Sequence, residues 1–420
     1  MQSSTERKAE IAKRLDYYFD NQSDYTYRLV AKRWSNPERF RFFSLNVVRA
    51  ITDKRASTYR IAPRRMFTGI DQEIGDALYR AMNADAVLKK SSKLLKLTKT
   101  AALQVGWNED SASPTLNVLT PNILDVEHPG DPERPARMIV THTATRAEDV
   151  SYSEWTAGEF RRLNHRGARL PIEGNPDGVN PYGLLPFVPL FDRLPDAEFF
   201  IPGGRDLIEA QDAINVALTN LWRAVELQSH GQAWANGLRA NEVLNFGPDR
   251  AIALPANSQF GFASPNAPIA EILSAIEFVI RQIAAIYDVG ADVFDLSKTA
   301  ESGSAKHAER IALKEARLDD IALWRTYEHR LFEVVKRVVN THTPGAIPES
   351  ATVAIDFAEL QDQLTEAEAL DNARTKIELG IWSPADAIMA LSPDSFPDRA
   401  AAFAELARRR DETADLALPL

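Results

Sequence analysis

Residues 304–341 read SAKHAERIALKEARLDDIALWRTYEHRLFEVVKRVVNT, and this stretch decides the fold because nothing in it breaks a helix. At 1.5 Å per residue such a helix spans roughly 55 Å, more than the width of a small domain. Trp324, Tyr327, Leu331, Val334, Val335 and Val338 form an apolar stripe in its C-terminal half, whereas the first half offers mainly Ala305, Ala308, Ala312 and Ala316. The second half is therefore expected in a core, and the first to pack closely or to run along something that leaves little room. TPGAIPES ends the helix, ATVAIDF (351–357) reads as a strand, and two or three short acidic helices follow.

Upstream lies VGADVFDLSKTAESGS (289–304), polar and punctuated by glycine. Before it, residues 205–228 and 269–287 each place apolar residues at helical spacing, with Leu207, Ile214, Leu218, Leu221, Trp222 and Val225 on the first. The second carries Ile269, Ile272, Leu273, Ile276, Val279, Ile280 and Ile283. Residues 231–268 between them hold strand-like pieces and turns, too few to bury a core of their own, so neighbours are expected. Residues 175–204, rich in proline and glycine, read as a compact apolar linker. Strands are expected at 98–107, 115–120, 136–145 and 150–163, in a meander rather than a βα alternation. Helices are expected at 5–20, at 37–59 with Asn36 as cap and Pro37 in the first turn, and at about 70–96.

The chain has 420 residues, 45% hydrophobic and 26% charged, and no apolar run near the roughly 18 residues of a membrane span. It has no cysteine, which excludes disulfides, thiolate metal sites and cysteine nucleophiles. The first residues, MQSSTERKAEIAKRL, lack the apolar segment of a secretory signal, so a cytoplasmic origin is expected. A net charge of −10 argues against gripping nucleic acid over the whole surface. That sum hides an asymmetry: residues 1–66 carry +8 and residues 351–420 carry −8. The two ends are solvated helix faces, or they meet neighbouring subunits or an enclosed polyanion.

Enzyme chemistry finds little support. There is no phosphate-binding P-loop, and the Gly203-Gly204 pair leads into Arg205-Asp206 rather than a lysine. The seven histidines never fall at metal-ligand spacing, and His142 reads as a hydrogen-bonded strand residue. No G-x-S-x-G elbow exists, and Ser302-Gly303-Ser304 suits the start of a helix. No catalytic residue, cofactor or metal ligand is nominated.

Three stretches carry a family resemblance. They are PYGLLPFVPLFDRLP with GGRDLIEAQDAINVALTNLW (181–222), IYDVGADVFDLSKTAESGSAKHAERIALKEARLDD (286–320) and ARTKIELGIWSPADAIMAL (373–391). In their order they resemble the portal protein of tailed bacteriophages, of the long-tailed type. Ser304-Ala305-Lys306 after Ser302-Gly303 departs from the commoner Ala-Leu, and residues 1–35 match nothing in the family.

The resemblance implies an α+β, mostly helical portal fold assembled as a ring of roughly twelve copies, one face of each subunit meeting the opposite face of the next. It implies a wing (1–204), a first stem helix (205–230), a clip (231–268), a second stem helix (269–288), a tunnel loop (289–303), a long wing helix with closing strand (304–358) and a crown (359–420). The function implied is a channel at one capsid vertex for packaging and ejecting double-stranded DNA. Implied partners are other copies of the chain, the DNA in transit, the terminase packaging motor, the major capsid protein and head-completion or adaptor proteins. The implied location is the virion, after assembly in the host cytoplasm. In the tunnel loop, Asp292, Phe294, Asp295, Leu296, Ser297, Lys298 and Thr299 are expected to line the channel, and Arg408, Arg409 and Arg410 are candidate DNA contacts in the crown. The competing expectation is a phage structural or scaffolding protein without a channel.

Overall fold

The computed structural model describes residues 4–32, 41–229, 232–237, 257–263, 268–289, 303–358, 366–392, 396 and 398–416. The fold is α+β, and the chain divides into two compact units, Met1–Ala358 and Glu359–Leu420.

The first unit opens with α1 (Ser4–Tyr18), α2 (Ser23–Ala31) and α3 (Val47–Arg55). Next come β1 (Arg64–Thr68), α4 (Gln72–Ala81) and α5 (Ala84–Thr98). Strands β2 (Thr100–Asn108) and β3 (Ser113–Leu119) pair with each other, and β9 (Phe187–Phe191) joins the free edge of β2, giving an antiparallel sheet of order β3-β2-β9. Strands β4 (Leu124–Glu127), β5 (Arg137–His142), β6 (Ser151–Thr156), β7 (Phe160–Asn164) and β8 (Arg169–Leu170) form a second antiparallel sheet in sequence order, so the meander expected over 98–163 is divided between two sheets, with 98–107 and 115–120 in the first.

Helix α6 (Arg205–Ser229) is followed by the hairpin of β10 (Gln232–Asn236) and β11 (Gln259–Ala263), then α7 (Ile269–Ile286), α8 (Gly303–His342) and β12 (Thr352–Asp356), which pairs with β1. Helix α8 is 40 residues long, about 60 Å at the usual rise. Its apolar stripe is buried against α5, the β3-β2-β9 sheet and β12, with Trp324 and Tyr327 edge to face and Trp324 against Tyr59 at 4.8 Å. In the same half Glu328 is fully buried, taking hydrogen bonds from Tyr59 (2.9 Å) and from Arg65 Nε (3.0 Å) and Nη2 (2.7 Å), so the carboxylate enters the core with its counter-charge. A separate core joins α1, α3, α6 and α7 through Tyr17, Val48, Ile51, Ile214 and Ile283.

Several expected elements take a different form. Residues 41–46 are not helical; α3 starts at Val47 with Asn46 as its cap, accepting from Arg49 N–H at 2.9 Å. The cause is tertiary. Gln211 of α6 accepts from the N–H groups of Val47 and Val48, Thr219 accepts from Phe43 N–H, and the Phe43 ring lies 4.8 Å from Trp222. The segment thus satisfies its backbone against α6 instead of within a helix. The Asn36–Pro37 start lies outside the described residues. The helix read at 70–96 is two, broken at Asn83, whose φ of 49° is left-handed. The span 150–163 is two strands joined by a turn. The linker read at 175–204 contains β9, completely buried. Pro189 is tolerated there because β9 is an edge strand, paired on one side only.

The second unit holds α9 (Glu366–Glu378), α10 (Pro384–Leu391) and α11 (Arg399–Leu416). Ser383 caps α10 in a reciprocal capping box with Asp386, and proline occupies the first turn.

Candidate functional site

Helix α6 begins, and helix α7 ends, beside a polar cavity of about 480 Å³ whose wall includes Lys96, Lys99, Asp192, Asp206, Tyr287 and Asp288. Lys96, on the last turn of α5, is nearly buried and donates to Asp192 Oδ1 (2.6 Å) and Asp320 Oδ1 (2.7 Å). Lys99 holds the other oxygen of Asp192 at 2.9 Å, and Arg55 holds the other oxygen of Asp320 at 2.9 Å. Arg55 also reaches Asp288 at 3.9 Å, just beyond α7, where Asp288 has a left-handed φ of 54°. Lys99 sits 5.4 Å from the centre of the Tyr287 ring, and the Tyr287 hydroxyl donates to Asp206 in the first turn of α6 at 2.9 Å.

These contacts form one network from α3 through α5, the residue after β9, the middle of α8 and the end of α7 to the start of α6. Burial pushes the Asp192 carboxyl upward, but Lys99 and Lys96 outweigh it and hold the group below the usual carboxylate range. Burial and the bond to Asp206 push the Tyr287 phenol up, so it donates and stays neutral. The end of α7 and the start of α6 are thereby tied to each other through Tyr287 and Asp206, and Asp288 lies within ion-pair reach of Arg55. The arrangement holds position; it does not set out an acid, a base and a nucleophile around a substrate.

Above this base the two long helices keep large apolar side chains exposed. Ile276, Ile283 and Ala284 of α7 are buried, yet Leu273 is 43% and Phe278 63% exposed. On α6, Leu207, Ile208 and Ile214 are buried while Trp222 is 44% exposed. The stripe read on 205–228 therefore stops being internal near its C-terminal end.

Asp292, Phe294, Asp295, Leu296, Ser297, Lys298 and Thr299 lie outside the described residues. Arg408, Arg409 and Arg410 stand exposed on α11. Arg408 and Arg409 converge on Glu405, at 2.7 and 2.8 Å, and their hydrogen bonds hold that carboxyl down to about 2. His142 Nε2 pairs with Ser153 Oγ at 2.6 Å, the structural role its strand position suggested. Among the described residues no cluster of His, Asp and Glu could hold a metal ion, and no helix is long and apolar enough to cross a membrane.

The network around Lys96 had no local signature. Arg55, Lys96, Asp192, Asp288 and Asp320 are scattered along the chain, and the one hint was lysines interrupting the apolar run KLLKLTK (93–99).

Among the solved structures to which the chain is similar are those of gene transfer agent particles. One is the virion of a native particle, at 14% identity, with 82% of this chain and 89% of that chain covered and a TM-score of 0.46. A second is the neck of an empty particle computed with C6 symmetry, at 14% identity, 83% and 90% coverage and a TM-score of 0.48. A third is the neck of a native particle computed with C12 symmetry, at 14% identity, 82% and 89% coverage and a TM-score of 0.46. No family model matches the chain, and no curated protein matches it.

Proposed function

We propose that the chain is the subunit of a portal-type ring, a structural component at one vertex of a phage-like particle through which double-stranded DNA is packaged and released. The observation that carries this reading is the α6–α7 pair: two long helices, pinned at their base by the Lys96 network, whose outer surface leaves Trp222, Leu273 and Phe278 exposed. In a ring of roughly twelve copies those side chains meet the opposite face of the next subunit, a heterologous contact that closes on itself. The order of sequence motifs and the 40-residue α8 support the same reading.

In such a ring residues 205–230 and 269–288 are the stem, 231–268 the clip, 289–303 the channel loop and 359–420 the crown. A net charge of −10 suits a wall that duplex must slide past, because a lysine-lined wall would bind phosphates and stall it. The packaging motor, the capsid protein and the head-completion proteins are the partners such a ring requires. No catalytic step is assigned to it. Native mass measurement together with negative-stain images tests the proposal: a closed ring with a central hole is expected. A monomer, or an open filament, at micromolar concentration would overturn it.

A further inference from the structure

A groove of about 320 Å³ lies between the end of α1 and the exposed side of α5. Its floor is Tyr18 and Leu94, both buried, and Phe19 stands beside it, 54% exposed. Phe19 is not on a loose tail. Its N–H donates to Leu15 O at 2.9 Å, the next two N–H groups donate to Tyr17 O and Asp16 O, and its ring meets Tyr18 edge to face at 5.1 Å. The fold therefore holds a large apolar side chain out in water.

The rim of the groove is basic: Lys89, Lys90 and Lys93 all line it. Lys93 pairs with Asp53 at 3.0 Å, and Asp53 also accepts from the Tyr18 hydroxyl and lies 3.9 Å from Arg49. Lys89 and Lys90 are exposed and make no ion pair among the described residues. Lys93 and Arg49 thus share one carboxylate, and Lys89 and Lys90 stand exposed beside them in a chain whose net charge is −10. Lys89 and Lys93 sit one turn apart on the same face of α5, and of the two only Lys93 has a carboxylate in ion-pair contact among the described residues, Asp53.

The sequence contains a segment of matching chemistry. Residues 359–371, ELQDQLTEAEALD, carry Glu359, Asp362, Glu366, Glu368 and Asp371 with no lysine or arginine, and Leu360, Leu364 and Leu370 among them. Residues 359–365 lie outside the described part; the rest opens α9, where Leu370 is 52% exposed. We infer that the Phe19–Lys89–Lys90 groove of one copy receives the acidic segment 359–371 of a second copy. Its leucines cover Phe19 and the apolar floor, and its carboxylates meet the lysine rim. Each copy carries both halves, so a head-to-tail contact uses both at every interface, as a closed ring requires. The inference rests on the ring reading above and adds a second contact to it, away from the α6–α7 surface.

The test uses the full chain. Copies of normal and of heavy-isotope protein are mixed under denaturing conditions, refolded, checked for mass, and treated with a carbodiimide, which joins a lysine to a carboxylate only in ion-pair contact. Mixed-isotope peptides linking Lys89 or Lys90 to residues 359–371 are expected. Lys90→Glu, which keeps the Lys89 amine, should lower the yield of Lys89 links about twofold to fivefold, and Lys89→Glu/Lys90→Glu combined with Glu366→Lys/Glu368→Lys should restore links between the same sites with amine and carboxylate exchanged. Both lysines are exposed, so unchanged circular dichroism shows that the variant still folds.

Links of single isotope only would place the contact within one chain and overturn the inference. So would a ring of normal mass without links at these lysines, which leaves the ring reading standing. A wild-type monomer by mass would instead remove the ring reading, and the inference with it.

Discussion

Replacing Lys96 by methionine removes the one ammonium that touches both Asp192 and Asp320, at 2.6 and 2.7 Å, while keeping most of the side-chain volume. Breaking one partner out of a buried ion pair costs about 3–5 kcal/mol. Here Lys99 still serves Asp192 and Arg55 still serves Asp320, each at 2.9 Å, so the low end applies, about 3 kcal/mol. At a urea slope of about 3 kcal/mol/M, the midpoint falls by about 1 M. Trp324, buried on the same helix as Asp320, reports the transition by fluorescence.

The pH dependence gives an independent check. The folded Asp192 carboxyl titrates below its ordinary value, so its contribution is complete above about pH 4 and is lost as pH falls through the folded value. Lys96→Met weakens that depression. The gap between wild type and variant should therefore stay constant from about pH 5 to 7 and narrow below about pH 4. A cost under about 1 kcal/mol would put Lys96 in the class of surface pairs. That result, or a gap that widens in acid, refutes the network as the anchor of the α6–α7 base.

Phe278→Glu should abolish ring formation while leaving helix content unchanged, read by native mass and circular dichroism; a ring of normal mass would remove that side chain from the interface. Gly75→Ala should destabilise the first unit by about 1–3 kcal/mol although alanine favours helix, because its Cβ would run into the Phe67 ring; thermal melting reads the sign. Changing Arg408, Arg409 and Arg410 together to alanine should flatten the salt dependence of DNA retention, and retention identical to wild type across salt would remove all three as DNA contacts and leave Arg408 and Arg409 serving Glu405. Tyr287→Phe, which deletes the bond to Asp206 without emptying the site, should cost about 1 kcal/mol in urea unfolding, and no change would make that bond incidental.

The long helix was legible in the sequence because its signal is local and repeated. An unbroken run of good helix formers with Trp324, Tyr327, Leu331 and Val335 on one face specifies both the helix and the side that is buried. The strands between residues 98 and 163 were legible for a related reason, since period-two patterns and their turns are written in adjacent residues, but their division between two sheets was not. Residues 41–46 were not, because their backbone partners, Gln211 and Thr219, lie far along the chain and outweigh a good local helix pattern. Strand β9 was hidden by Pro189, whose placement depends on which edge of β2 is free. Only the tertiary structure assembled the Lys96 network and the groove beside Phe19. Charge in a sequence has a sign but no position, and a lysine becomes an anchor or a docking point only when folding sets its distance to a carboxylate and takes away the water between them.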